Sequence, residues 1–217
     1  MSDIQRFVLS YPKAGRTWLR IFFHYYFNQE DPGVIYLHKE ERIVNFRDPE
    51  KQMRRILLLR NPCDIMVSYY FHETIVKRKS KKNIQNMSEF IRHPLVGVHR
   101  LKECVDQWKK CKEQFVIYYE DLFKPIWKEI LLYFEFPIDE QAIKRANTAA
   151  SFDNVRKNLK KLRYLPGGWR YLPLEKGIAR TNPKDPNAHK FRRGKVGGYV
   201  DYLSEEDIAY VKKIMNG

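Results

Sequence analysis

Residues 10–20 read Ser-Tyr-Pro-Lys-Ala-Gly-Arg-Thr-Trp-Leu-Arg, and they join an apolar run at residues 7–9 to a helical apolar pattern that begins at Leu19. A short strand, a turn that contains Lys13 and Gly15, and a helix follow one another. Such an arrangement presents backbone N–H groups and the positive end of a helix to an anion. Lys13 adds a mobile charge and Thr17 adds a hydroxyl donor. The stretch therefore predicts a cradle for a phosphate or sulfate group.

The turn is not a Walker A loop, because that pattern needs a second glycine ahead of a Lys-Ser or Lys-Thr pair. With Gly15 alone, an ordinary strand-to-helix turn with a surface lysine is the competing interpretation. The sequence beyond residue 20 is needed to choose between the two.

Apolar, β-branched runs alternate with helical patterns along the chain. This alternation predicts an α/β fold, a single domain over residues 1–217 with a central, mostly parallel β-sheet flanked by helices. Ligands of such sheets bind beyond the carboxyl ends of the strands, where the strand-to-helix loops lie. Strands are predicted at residues 6–10, 33–37, 55–60 and 115–119, and helices at 17–27, 62–77, 88–91, 96–112, 125–134, 139–146 and 208–215.

Residues 159–190 break the alternation. Proline and glycine recur through this segment, and a long irregular segment in a compact domain commonly forms a lid or a binding loop. We therefore predict such a loop here. The closing helix is predicted to follow an acidic start at residues 204–207.

The charge of the chain favours an anionic partner. It has 41 basic and 26 acidic residues, a net charge of +15 and a pI near 9.7. This positive potential attracts nucleic acid, an acidic surface or a polyphosphorylated small molecule. The densest basic run, at residues 77–82, is interpreted as a solvated helix end or loop without a catalytic role.

The composition excludes other classes of protein. A hydrophobic content of 43% excludes overall disorder. No run approaches the ~18 apolar residues of a membrane span, and we expect a cytoplasmic protein. Cys63, Cys104 and Cys111 have no zinc-binding spacing, so we expect reduced, buried thiols and no metal.

A second anion site is predicted after the third strand. Arg60 ends its apolar run, Asn61 suits a helix N-cap and Pro62 suits the first helical position. Ser68 follows two helical turns later, and an arginine fork with a serine hydroxyl could clamp one phosphate. In the competing interpretation, Arg60 forms a local ion pair with Asp64 and Ser68 faces the core.

Five segments resemble motifs of the sulfotransferases that use 3′-phosphoadenosine 5′-phosphosulfate (PAPS). Residues 11–18 (Tyr-Pro-Lys-Ala-Gly-Arg-Thr-Trp) resemble the family's 5′-phosphosulfate loop, and residues 59–70 (Leu-Arg-Asn-Pro-Cys-Asp-Ile-Met-Val-Ser-Tyr-Tyr) resemble its 3′-phosphate site. Residues 191–199 (Phe-Arg-Arg-Gly-Lys-Val-Gly-Gly-Tyr) look like the loop that closes over the nucleotide. Residues 118–121 and 150–158 match two weaker landmarks. All five occur in the family's order and span nearly the whole chain.

This resemblance implies a fold related to P-loop kinases, PAPS as donor, its desulfated product PAP, and no required metal. The residues that it places around the 5′-phosphosulfate and the adenine are Lys13, Ala14, Gly15, Arg16, Thr17 and Trp18. Those that it assigns to the 3′-phosphate are Arg60, Ser68, Arg192, Arg193 and Gly194. Tyr119 and Phe152 are expected near the adenine.

The resemblance also implies a catalytic lysine and a general base. By analogy with phosphoryl transfer, the protein positions the reactants and neutralises charge on the departing phosphate, a role that suits Lys13. His38 is the predicted base, because it follows the strand at 33–37 and lies 22 residues before Arg60, a spacing like that of animal cytosolic members. The lysine that accompanies the base there is absent here. His72 is the alternative base.

The chain departs from the family pattern in three places. Ala14 stands where serine is usual, which removes one side-chain donor, and Arg16 replaces a common threonine and adds charge. His38 follows Trp18 by only 20 positions, far fewer than in animal cytosolic members. We therefore expect an open acceptor pocket, or one covered by residues 159–190.

Two other functions stay open. A P-loop phosphotransferase would share the fold, but the chain lacks the Gly-Lys-Ser/Thr loop and an evident Walker B acid. A nucleic-acid-binding module would fit the charge, but no recognised motif for one is present. The expected acceptor is a small alcohol or phenol, with a glycan, an amine or a peptide tyrosine as alternatives. The sequence leaves the oligomeric state open.

Overall fold

The computed structural model describes residues 4–37, 52–76, 84–111, 113–157, 164–165, 169–170, 187 and 194–217. The chain divides into two compact units, the first drawn from Met1–Leu59 and Trp108–Tyr171 and the second from Arg60–Gln107 and Leu172–Gly217. The predicted α/β fold with a parallel sheet is confirmed. A single domain over residues 1–217 stays a prediction.

The first unit is built on a four-stranded parallel sheet. Its strands are β1 (Gln5–Ser10), β2 (Val34–Leu37), β3 (Met53–Leu59) and β4 (Gln114–Tyr118), in the order β2-β1-β3-β4. The register pairs Leu9 with Leu37 and Ser10 with Leu58. All four strands therefore end at one edge of the sheet. The four predicted strands are confirmed, with ends shifted by at most two residues.

Strands β1 and β3 are buried on both faces, which explains their unbroken apolar runs. Phe7, Val8 and Leu9 of β1 are at most 2% exposed. Three residues of β3, Ile56, Leu57 and Leu58, are fully buried. The turn at residues 11–15 therefore starts from the end of a buried strand, β1.

Helices follow the strands in chain order. Their bounds are α1 Arg16–Tyr26, α2 Pro62–Phe71, α3 Met87–Arg92, α4 Val98–Lys109, α5 Trp127–Tyr133, α6 Glu140–Ala150, α7 Phe152–Lys157 and α8 Glu205–Asn216. In the first unit, α1 packs against α6. The Tyr26 hydroxyl donates to the Pro137 carbonyl at 2.6 Å and accepts from the Asp139 N–H at 3.0 Å, which ties α1 to the start of α6.

In the second unit, both predicted helix starts are confirmed. The Asn61 side chain accepts from the Cys63 N–H at 2.9 Å, and Pro62 opens α2. The Ser204 hydroxyl accepts from the Asp207 N–H at 3.1 Å and caps α8. These caps satisfy N–H groups that have no partner within their own helix.

The structure corrects several boundaries. The predicted helix at 62–77 is wrong beyond Phe71, where α2 gives way to a π-helical turn at His72–Val76. The strand predicted through residue 119 ends at Tyr118, and a 3-10 turn, Tyr119–Phe123, follows. Within the segment 159–190, Tyr164–Leu165 and Trp169–Arg170 pair as an antiparallel hairpin, and most of that segment lies outside the described residues.

The cysteines and the helices can be compared with what the composition predicts. Cys63 and Cys104 are buried as expected, whereas Cys111 is only half-buried. Among the residues that the structure describes, no helix has the length and apolar character needed to cross a membrane.

Candidate functional site

The turn after β1 lies at the position in the sheet where ligands of α/β proteins commonly bind. Along the order β2-β1-β3-β4, the chain first moves from β1 to β2 and then back past β1 to β3. In open α/β sheets, ligands bind beyond the carboxyl ends of the strands where the chain reverses direction in this way. Residues 11–15 lie between β1 and α1 at that edge.

Gly15 forms the N-cap of α1 in a left-handed conformation, with φ of 109°. A Cβ added at this position would lie 2.9 Å from Cε2 of Tyr119 and closer still to Cδ2. Only glycine combines this backbone conformation with so close an approach. No side chain caps the helix and no acidic residue lies in its first turn, so the helix start is suited to an external anion.

Lys13 also has a left-handed backbone, with φ of 75°. For a residue with a Cβ this conformation costs about 1–2 kcal/mol. Strained residues of this kind cluster where a ligand is held. The turn therefore projects a half-buried lysine from a strained position beside the start of α1.

Two buried arginines give the start of α1 an unusual charge. Arg16 donates to the Leu37 carbonyl at 3.4 Å, and the Arg20 guanidinium lies 4.1 Å from the centre of the Tyr36 ring. Burial, followed by the charge of Arg20, lowers the pKa of Arg16 to about 9, and burial lowers that of Arg20 to about 10. Both remain cations at neutral pH. Because cations at a helix N-terminus oppose the helix dipole, the arrangement favours a bound anion.

Three aromatic rings form a cluster beside this turn. The Trp18 ring lies 5.6 Å from that of Tyr119 and 4.6 Å from that of Phe123, measured between centroids, and both pairs meet edge to face. Tyr119 is 7% exposed, whereas Phe123 is 53% exposed. Trp18 and Tyr119 were both predicted from the motifs, and the structure brings them together. Phe123 was missed, because only the 3-10 turn after β4 brings it to Trp18.

The second unit contains the other predicted anion-binding segment. Arg60 follows β3 directly, and its Nη2 lies 3.4 Å from the Lys195 carbonyl and 3.9 Å from Asp64 Oδ2. The local ion pair of the competing interpretation is therefore present. Ser68 is 9% exposed on α2. Gly194, the first described residue of its motif, has a left-handed backbone with φ of 63°.

The other predicted site residues are placed as follows. Thr17 is half-buried in the first turn of α1, Ala14 is buried, Phe152 begins α7, and His72 begins the π-helical turn. His38, Arg192 and Arg193 lie outside the described residues, so their assignments stay predictions. Among the described side chains, no group of three or more His, Cys, Asp or Glu could hold a metal ion.

Most of the chain matches a known protein family. The sulfotransferase domain matches residues 48–216, and the chain belongs to this family. Sulfotransferase 1E1 of Rattus norvegicus is 30% identical over 114 residues, 50% of this chain and 38% of that protein. Its counterpart in Mus musculus is 26% identical over 139 residues, 60% of this chain and 46% of that protein. The matches thus span less than half the length of these curated relatives.

Solved structures share the fold over almost the entire chain. Mouse sulfotransferase SULT7A1 complexed with PAP superposes with a TM-score of 0.71 at 17% identity, covering 98% of this chain and 82% of that one. Retinol dehydratase complexed with retinol and PAP gives a TM-score of 0.65 at 15% identity, covering 100% and 81%. The fold similarity therefore includes the turn at residues 11–15, which precedes the stretch matched by the family domain.

Proposed function

We propose that this protein transfers a sulfuryl group from PAPS to a hydroxyl group of a small-molecule acceptor and releases PAP. The observation that carries the proposal is the turn at residues 11–15, where Lys13 and a left-handed Gly15 precede a helix with no acidic residue in its first turn. Membership of the sulfotransferase family supports sulfate in place of phosphate as the transferred group.

The residues of this turn would hold the 5′-phosphosulfate. The N–H groups at the start of α1 donate to its oxygens, Lys13 and Arg16 supply positive charge, and Thr17 adds a hydroxyl. Ala14 contributes only its backbone, and the buried Arg16 offsets the missing side-chain donor. Trp18, Tyr119 and Phe152 would contact the adenine.

The 3′-phosphate would be held by the residues of the second anion site. An arginine fork matches the oxygens of a phosphate with paired donors. Arg60 is 10% exposed and therefore largely desolvated, which strengthens such a contact. The proposed partners of Arg60 in this role are Ser68, Arg192, Arg193 and Gly194.

In the reaction, the acceptor oxygen forms a bond to sulfur while the bond between sulfur and the bridging phosphate oxygen breaks. Lys13 stabilises the negative charge that develops on that oxygen. The acceptor proton passes to a general base. We assign this role to His38, which directly follows β2, the neighbour of β1 in the sheet, and retain His72 as the alternative.

The acceptor class is also a proposal. The solved structures of retinol dehydratase contain retinol in one case and androsterone in another, both bound together with PAP. We expect an alcohol or a phenol as the acceptor of this chain. A cytoplasmic location stays a prediction.

A direct assay tests the proposal. The purified protein is incubated with radiolabelled PAPS and a panel of alcohols and phenols, and each product is identified by its mass. In parallel, binding of PAP and of ATP is measured by calorimetry with EDTA present. We expect sulfated product and tight, metal-independent binding of PAP. Phosphorylated product from ATP and Mg²⁺, without binding of PAP, would instead establish a phosphotransferase.

A further inference from the structure

Asp64 makes an unusual pair of contacts in the second unit. Its side chain is fully buried. Oδ2 accepts from the Gly197 N–H at 2.8 Å, and Oδ1 accepts from the Tyr199 N–H at 3.0 Å. One carboxylate therefore holds a turn that lies 133 and 135 residues further along the chain.

The element that carries Asp64 is itself fixed. Asp64 lies in the first turn of α2, directly behind the Asn61 cap and Pro62. The turn that it holds, at residues 195–199, contains Gly197, whose φ is 72°, and leads into the 3-10 turn Gly198–Asp201. The contacts thus join a capped helix start to a turn of defined geometry.

Arg60 is joined to the same turn. Its Nη2 donates to the Lys195 carbonyl at 3.4 Å and lies 3.9 Å from Asp64 Oδ2. The guanidinium is therefore hydrogen-bonded to the turn, and Asp64 contacts both. In the sequence, only Gly194 separates Arg193 from Lys195.

We propose that Asp64 is a positioning residue that latches the turn at residues 195–199 and, through it, sets Arg60 for recognition of a 3′-phosphate. This inference rests on the proposed function. Asp64 does not contact the phosphate and is not a catalytic residue. It acts through the two N–H groups that it accepts from and through the carbonyl that orients Arg60.

A positioning role for Asp64 and simple electrostatics predict opposite effects of neutralising this residue. Asp64 carries a negative charge beside an arginine assigned to an anion, so its neutralisation should strengthen anion binding if only electrostatics mattered. In Asp64→Asn, however, one N–H would face an amide NH₂ group, because an amide has a single acceptor oxygen. The turn would then lose a hydrogen bond to a buried acceptor and shift, and affinity for the 3′-phosphate would fall.

Calorimetry on the full chain with PAP and AMP tests this. In Asp64→Asn we expect affinity for PAP to fall about tenfold or more, since a buried donor loses its partner, while affinity for AMP changes less than about threefold. Asp64→Glu keeps the charge but adds a methylene group, and it should show the same selective loss. The matched control is Asp207→Asn, which also alters a buried carboxylate of this unit, bonded to Ser88 and Arg92. It should lower thermal stability and leave the preference for PAP over AMP intact.

Two results of the calorimetry would contradict the positioning role of Asp64. Unchanged or tighter binding of PAP by Asp64→Asn overturns the latch, and so does an equal loss for both nucleotides, as a general loss of structure would give. If both variants fail to fold, hydrogen exchange on the wild-type protein decides, because the latch requires protected N–H groups at Gly197 and Tyr199. Failure of the wild-type protein to bind PAP would refute the proposed function instead.

Discussion

The ring of Tyr119 occupies the space that a side chain at residue 15 would need. An added Cβ on Gly15 would lie 2.9 Å from Cε2 of that ring, and the backbone there has φ of 109°. The atoms nearest to that added Cβ therefore belong to an aromatic side chain that follows β4, the strand at the edge of the sheet. This contact fixes the turn and places the ring beside it.

Gly15→Ala should destabilise the protein because it adds both backbone strain and overlap with Tyr119. The matched control is Gly33→Ala, which has φ of 67° and no atom within 4 Å of its added Cβ. The control isolates backbone strain and should cost about 1–2 kcal/mol in the free energy of unfolding. The overlap should cost Gly15→Ala ~2 kcal/mol more. Urea denaturation measures both, and equal losses would refute the importance of the Tyr119 contact.

Lys13→Gly should lower turnover without lowering the stability of the protein. It relieves the left-handed strain at this position, so the free energy of unfolding should stay the same or rise by up to about 1 kcal/mol. Turnover should fall at least ~100-fold, because the charge is most needed as the phosphate departs. Affinity for PAP should change by less than about tenfold. Near-normal turnover would remove Lys13 from the mechanism.

Arg60→Ala should weaken binding of PAP by ~2 kcal/mol or more and hardly alter binding of AMP, because a desolvated pair of donors to the 3′-phosphate is lost. Arg193→Ala should likewise weaken binding of PAP and hardly alter binding of AMP. The control is Arg54→Ala, which removes an exposed arginine paired with Glu135 and should affect neither nucleotide. Calorimetry that shows equal losses for PAP and AMP in Arg60→Ala would contradict the assignment.

His38→Ala should lower turnover with an alkyl alcohol by about 10²–10⁴-fold if His38 is the base. The loss should be much smaller for an acidic phenol, which is already partly ionised at high pH. Affinity for PAP should be unchanged. His72→Ala and the exposed His99→Ala are compared in the same assay. If only His72→Ala loses activity, the base has been misassigned, and if neither variant loses activity, neither histidine is the base.

His24 should make stability depend on pH. It is 7% exposed on α1, and burial lowers its pKa from the ordinary value of 6.5. The unfolded chain therefore binds this proton more readily than the folded protein. The contribution of His24 to stability is therefore complete above its ordinary pKa of 6.5 and falls as the pH drops below that value. His24→Gln should flatten this part of the urea-denaturation profile. A profile that His24→Gln leaves unaltered would contradict the burial argument.

Local patterns sufficed to predict much of the candidate site. The sequence predicted the turn after β1, the Asn61 cap and the parallel sheet, because each depends on neighbouring residues or on a continuous apolar run. The sequence did not predict the π-helical turn after Phe71, since the residues there continue a helical pattern. The assignments of His38, Arg192 and Arg193 still depend on motifs alone.

What the sequence by itself determined is the strand-turn-helix at residues 5–26 and the identity of the groups that it offers to an anion, because glycine, lysine and helix N–H groups act within a few residues of one another. Only the tertiary structure decided which distant residues complete each segment. Tyr119 reaches Gly15, Phe123 reaches Trp18, and Asp64 accepts from Gly197 and Tyr199. These contacts join residues that lie far apart in the chain, so they arise from the packing of whole elements, which no local pattern encodes.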